Sequence, residues 1–283
     1  MLAHLKDLVK LAKRNGYALG AFNTINLETT LAIVHAARQV KIPAIIQISE
    51  KTIAYAGLQT ILKLIKSVVQ TESAQVPIAI HLDHGRNFQL IKECIAAGIS
   101  SVQIDASDQP FKKNIKLTGQ VAAYAHQRGV WVQGELGSLL GQEGTVKGKL
   151  AAADDDLTDP GQVKEFVKKT NVDTLAVSVG TMHGSFIGRE NINLALISAI
   201  AEQTAKPLVL HGSSGNRNQK IVAAIRCGIM IINVDTDLRL AFIKSLRQTL
   251  KAQPDFYDPR QILSPSILAM QRAVAEKIQT FRV

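Results

Sequence analysis

Short apolar runs recur along this chain, each ending in a cluster of polar residues, with stretches of helical periodicity between them. The runs are Tyr17–Phe22, Ala44–Ser49, Pro77–Ile80, Ser101–Ile104, Val130–Gly134, Thr174–Val179, Pro207–Leu210 and Ile229–Ile232. Near-continuous apolar runs without polar alternation are the mark of strands buried on both faces. Between them, Asn26–Val40 puts Leu27, Leu31, Val34 and Ala37 on one face, and Phe88–Ala97 ends at Gly98, a good C-terminal stop. Further helices are predicted at Gly57–Gln70, 111–127, Pro160–Lys169 (opened by Asp159 and a first-turn proline), Leu194–Gln203 and Gln219–Arg226. An amphipathic helix precedes the first strand. Residues 139–159 break the rhythm and read as a long loop, a length usually reserved for lids or disorder. Eight strands alternating with helices predict a closed (β/α)8 TIM barrel. The whole chain, 1–283, reads as one such domain, with a helical C-terminal arm from about 252 punctuated by prolines.

In such a barrel every strand's carboxyl end faces one mouth. The polar strand ends therefore converge: Asn23, Ser49, Asp83, His84, Asp105, Glu135, His183, His211, Asn233 and Asp235. Three of the seven histidines, His84, His183 and His211, stand at the ends of the third, sixth and seventh strands. A lone strand-end histidine is usually structural, but three converging imidazoles with an open position make a catalytic divalent-metal site, zinc first. His81 reads as a packed or supporting residue, and His4, His35 and His126 lie on helices. Asp83 is either a general acid/base beside the metal or a residue that orients a ligand, its side chain projecting differently from that of His84. Asp105 and Glu135 either hold an alternate metal position or balance positive charge. Gly212-Ser213-Ser214-Gly215 and Asn233-Val234-Asp235-Thr236 follow strands seven and eight, where these barrels cradle phosphate. None of the eight predicted strands carries a lysine, which argues against Schiff-base chemistry there.

Composition changes this picture little. A chain of 283 residues with 46% hydrophobic and only 5% aromatic residues suits an aliphatic barrel core. The net charge of +10 raises nucleic acid as a partner, but the basic residues are scattered over helices, so an anionic small molecule is the better reading and nucleic acid is not expected. Two cysteines, Cys94 and Cys227, lie far apart and suggest neither disulfides nor a thiolate metal site. With neither a signal-type apolar core nor a bilayer-length stretch, the chain is expected to be cytoplasmic and without a membrane partner.

HLDHG, IDAS, ELG, GTMHG, LHGSSG and NVDTDLR, in this order, resemble the class II (zinc-dependent) fructose-bisphosphate/tagatose-bisphosphate aldolase family, over about Asn15 to Arg260. The resemblance implies reversible cleavage of fructose-1,6-bisphosphate to dihydroxyacetone phosphate and glyceraldehyde 3-phosphate. It implies His84, His183 and His211 as zinc ligands, Asp83 as the acid/base at the C4 hydroxyl, and Asp105 and Glu135 near a secondary metal position. Gly184, Gly212, Ser213, Ser214, Asn233, Val234, Asp235 and Thr236 would hold the dihydroxyacetone phosphate half; Asn23, one of the converging strand ends, is a further substrate-binding candidate. Glu143 matches the loop glutamate that shuttles the C3 proton, and Ser49 and Arg239 match contacts to the other phosphate. A homodimer or homotetramer is expected, with a monovalent cation as the candidate second cofactor. Asp235 favours fructose over tagatose bisphosphate. The chain departs from the family pattern at Ile187, where a lysine is usual (Arg189 being the candidate substitute), at Gly85, and in the GQEGTVKGKL loop. The competing readings are tagatose-bisphosphate cleavage and a non-catalytic sugar-phosphate-binding protein.

Overall fold

The structure, a computed structural model, describes residues 1–138, 141–146, 157–185 and 192–283, with the side chains of 141–146, His183 and Ser185 outside that description. Its strands are β1 (Leu19–Asn23), β2 (Ala44–Ser49), β3 (Ile78–Gly85), β4 (Ser101–Ile104), β5 (Trp131–Leu136), β6 (Gly141–Val146), β7 (Thr174–Val177), β8 (His183–Ser185), β9 (Leu208–Leu210) and β10 (Ile229–Val234). The helices are α1 (Leu5–Asn15), α2 (Leu27–Val40), α3 (Glu50–Ala56), α4 (Leu58–Glu72), α5 (Phe88–Ala96), α6 (Phe111–His126), α7 (Pro160–Thr170), α8 (Leu194–Gln203), α9 (Asn218–Arg226), α10 (Thr236–Ala252) and α11 (Pro259–Thr280). Eight strands close a parallel barrel in the order β1-β10-β9-β7-β5-β4-β3-β2. The expected TIM barrel is therefore present.

Local chemistry accounts for the helix ends. Asn26 and Thr29 form a reciprocal capping box at the start of α2, and Asp159 caps α7 ahead of Pro160. α1 stops at Gly16, which takes the left-handed conformation at φ 68°. α11 runs along α2 and α10, so the C-terminal arm closes against the barrel's outer layer. Among the described residues no single helix is long and apolar enough to cross a membrane.

The core is split by the barrel wall. Outward-facing residues such as Ile46, Ile80, Val102 and Val234 pack under the helices. Inside, Leu19, Ala21, Ile45, Ala79, Ala176, Val209 and Ile231 meet Leu5, Leu8, Val9 and Ala12 of α1. α1 thus plugs the amino end of the barrel with an apolar floor. Two residues further along, on these strands or just past their ends, the interior turns polar: Asn23, Gln47, His81, Ser178, His211 and Asn233 are all buried. Because side chains alternate with period two, floor and polar layer belong to the same inward face.

Two parts of the sequence reading need correction. The stretch 139–159 is not loop throughout, because β6 lies within it and pairs in parallel with β8, Gly141 opposite His183. Strand three does not end at Ile80 but continues to Gly85, with a register shift against β4 between Leu82 and Gly85. Within that irregularity His84 takes φ 48°, a left-handed conformation uncommon for a non-glycine residue.

Candidate active site

The turn at His84 builds the centre of the site. In a regular strand Asp83 and His84 would face opposite sides; here both enter the barrel mouth, contrary to the expectation that they project differently. Two tertiary contacts hold the strained residue. Its backbone N–H donates to Gln103 Oε1 at 2.9 Å, and its Nδ1 meets Asp105 Oδ2 at 3.0 Å. The other ring nitrogen, Nε2, lies 3.0 Å from His211 Nδ1 and 3.9 Å from Asp83 Oδ1.

Asp83 is almost fully buried at the end of β3, directly opposite Ser49 of β2. Asn23 Nδ2 donates to its Oδ2 at 2.8 Å and Asn233 Nδ2 to its Oδ1 at 3.2 Å. Burial alone would raise its carboxyl, but His84, His211 and the Asn23 bond outweigh that and hold it below the usual range. Burial likewise opposes charge on His84, yet Asp83, the Asp105 bond and Glu135 lift the ring to about 10. Glu135 is pushed up to about 8 by burial and by Asp105. Asp105 is held far below the ordinary range: its burial is overcome by His84, Ser107 and the Arg86 guanidinium, whose Nη2 lies 3.1 Å away. Burial lowers His81 to about 4, which keeps that ring neutral as it meets Ser101 Oγ at 2.8 Å.

A metal fits this donor set. Asp83, His84 and His211 bring ligand atoms within 4.8 Å of one another, as do His84, Asp105 and Glu135. Two nitrogens on one tetrahedral zinc, each bonded at ~2.05 Å, stand roughly 3.3 Å apart. His84 Nε2 and His211 Nδ1 already face each other at 3.0 Å, and two imidazoles with a carboxylate suit a borderline divalent ion.

Beside the histidines lies a cleft of about 300 Å³ lined by Asn23, Met182, Gly184, His211, Gly212, Ser213, Ser214, Asn233, Asp235 and Thr236. Gly212 is at φ 62°, and a Cβ there would sit 2.5 Å from the Met182 carbonyl oxygen, so only glycine fits. Asp237 braces the loop, accepting from Gly215 N–H at 3.1 Å and pairing with Lys277 at 2.7 Å. α10 begins here without a side-chain cap, because Asp235 Oδ1 turns instead to Arg239 Nε at 2.6 Å. Asp235 Oδ2 is buried without a hydrogen-bond partner among the described residues.

The other expected site residues are placed as follows. Val234 turns its side chain into the outer core, so it can offer the cleft only backbone. Ser49 caps α3, accepting from Thr52 N–H at 3.3 Å, and does not line the cleft. The backbone of His183 lies on β8 and that of Glu143 on β6, but both side chains, and the whole of Ile187 and Arg189, lie outside the described residues.

Three supporting residues escaped the sequence reading. Gln103 Nε2 donates to Glu135 at 2.7 Å, Gln133 Nε2 meets His211 Nε2 at 3.0 Å, and Arg86 reaches Asp105. A signal for the glutamines was present in Gln47-x-Ser49, His81-x-Asp83, Gln103-x-Asp105 and Gln133-x-Glu135, polar residues two apart on one inward face.

Comparison with known proteins gives one consistent result. A family model described as class-II fructose-bisphosphate aldolase matches residues 3–283. A fructose-bisphosphate aldolase of Geobacillus stearothermophilus is 41% identical over 281 residues, covering 99% of this chain and 96% of that one. One from Staphylococcus epidermidis is 40% identical over 282 residues, covering 99% and 97%. The crystal structure of the YdjI aldolase from Escherichia coli K12 superposes with a TM-score of 0.86 at 28% identity, covering 99% and 97%.

Proposed function

The chain belongs to the class-II fructose-bisphosphate aldolase family and is a metal-dependent aldolase of that class; from that premise we propose which residues carry the reaction. The reaction is reversible cleavage of fructose-1,6-bisphosphate between C3 and C4, giving dihydroxyacetone phosphate and glyceraldehyde 3-phosphate. The observation that carries the assignment is the meeting of Asp83, His84 and His211 at one point of the barrel mouth.

His84, His211 and His183 hold the divalent ion, zinc being the one this donor chemistry suits. When bound, the ion supplies the electrophile that draws electron density through the ketose carbonyl. Asp83 accepts the proton of the C4 hydroxyl. Its low carboxyl and its two amide donors support that role, since they keep it ionised and aimed. As the C4 oxygen becomes the aldehyde carbonyl, the C3–C4 electron pair passes to the three-carbon fragment, and Glu143 delivers a proton to C3. Asn23 and Asn233 fix Asp83 and the substrate edge beside it.

One phosphate sits over Gly212-Ser213-Ser214 and the uncapped start of α10, where loop N–H groups and the helix dipole favour an anion. Asp235 Oδ2, without a partner among the described residues, supports that residue as acceptor for a substrate hydroxyl, in keeping with the preference for fructose bisphosphate. Ser49 and Arg239 serve the second phosphate. The cleft sets one expectation: Gly212→Ala forces a side chain into the left-handed region at about 1–2 kcal/mol and against Met182, raising KM roughly tenfold or more. An unchanged KM in steady-state cleavage assays removes the loop from the phosphate site.

The assignment as a whole is tested by treating the purified protein with chelator and then restoring zinc. Cleavage of fructose-1,6-bisphosphate is expected to fall to background and to return with the metal. Cleavage that survives chelation and dialysis rules out the histidine metal site.

A further inference from the structure

His84 presents its two ring nitrogens to two different groups of ligands. Nε2 faces His211 and Asp83, while Nδ1 faces Asp105 at 3.0 Å and Glu135 at 3.9 Å. Either group, by its donor atoms alone, has the makings of a divalent-ion site. We propose that Arg86 takes the place of a second cation at the Asp105–Glu135 group, so that this chain holds one metal ion at the His84 Nε2 face and none at the Nδ1 face. The inference rests on the assignment of His84 and His211 as metal ligands.

The second group is already engaged by the chain itself. Asp105 Oδ2 takes both His84 Nδ1 and Arg86 Nη2, at 3.0 and 3.1 Å. Its Oδ1 takes the Ser107 N–H at 3.3 Å and hydroxyl at 2.7 Å. Glu135 Oε2 accepts from Gln103 Nε2 at 2.7 Å. An ionised carboxylate can only accept, so Nδ1 carries its hydrogen toward Asp105. An incoming cation would have to displace that hydrogen and settle against a guanidinium that never loses its charge.

Arg86 is held in this position from several sides. Its backbone N–H and that of Asn87 both donate to Glu50 Oε1, at 2.7 and 2.9 Å, which fixes the turn after β3. Its Nη1 pairs with Asp108 at 3.5 Å. The side chain is 58% exposed, so truncation leaves the barrel packing intact while uncovering Asp105. With Arg86 in place, Asp105 acts as a positioning residue: it orients the His84 ring, and the metal meets only the opposite nitrogen.

The test counts metal. Metal-free protein, Arg86→Ala, Arg86→Gln and Arg86→Lys are titrated with Zn²⁺ by calorimetry, then desalted and assayed for bound metal by elemental analysis. The wild type and Arg86→Lys are expected to retain about one ion per chain, and the two neutral variants about two, filling the His84–Asp105–Glu135 group as well. Two ions of comparable affinity on the wild type, or a single ion on both neutral variants, overturns the proposal. No ion on any of the four proteins overturns the ligand assignment beneath it instead. Asp105→Asn in the Arg86→Ala background is expected to return the count to about one, which ties the second ion to this carboxylate.

Discussion

Asp83→Ala is expected to retain its metal and bind substrate while losing about a thousandfold in kcat, the middle of the range for removing a general acid/base. The size of the effect follows from where the carboxylate sits. It is buried, ionised, and clamped between two asparagine amides, so no water or neighbouring carboxylate can take over with the same aim. Glu135, another carboxyl of the site, is pushed up to about 8 by burial and by Asp105 and so is largely protonated at neutral pH. Removing Asp83 also strands the Asn23 and Asn233 donors, at a cost of about 1–3 kcal/mol in stability. A thermal melt run alongside the kinetics therefore separates unfolding from lost chemistry. Because Asp83 also falls within the ligand group of His84 and His211, metal content is the deciding companion measurement. A variant that turns over like the parent dismisses Asp83 as the base, and one that loses its metal makes Asp83 a ligand.

The second large effect is expected at His211. His211→Ala should lower metal affinity by more than the roughly 10–100-fold that loss of a mere orienting partner causes. His211 is fully buried just past the end of β9, with one ring nitrogen 3.0 Å from His84 and the other 3.0 Å from Gln133. Its removal deletes a donor at a point where the described polar neighbours Gln133 and Asn233 offer amides rather than an imidazole in its place. Competition against a fluorescent chelator reads the affinity directly, with no need for turnover. Affinity equal to the wild type would falsify the role of His211 as ligand.

How much of this was legible in the sequence depended on whether a residue's role was set along the chain or across it. The eight barrel strands were visible because aliphatic runs bounded by glycine or proline have few other ways to be buried. The same logic located Asn23, Asp83, Asp105, Glu135, His211 and Asn233 at one mouth, since strand ends and strand direction are properties of the chain. β6 and β8 were not visible: GQEGTV is polar, and its pairing depends on a partner some forty residues away. The bend at His84 was equally hidden, for HLDHG carries no local demand for a left-handed histidine. That conformation is held by Gln103 on the adjoining strand and by Asp105 just past its end. Gln103 and Gln133 were passed over because strands were read as apolar runs, whereas an inward face with period two shows polar residues stacked toward the mouth.

That inward face couples two trades in one strand. Ala21 and Asn23, Ala79 and His81, Val209 and His211, Ile231 and Asn233 are neighbours two positions apart, the first in the apolar floor and the second in the polar layer above. Sliding any of these strands by one residue would carry both members out of the lumen together, so an error of pairing during folding would abolish packing and chemistry in one stroke. Misfolded molecules that are stable yet inactive should consequently be scarce. Side-chain changes confined to the floor, by contrast, leave the upper layer's register untouched, and that makes the α1 end of the barrel the place to look for variants that tolerate heat at unaltered turnover.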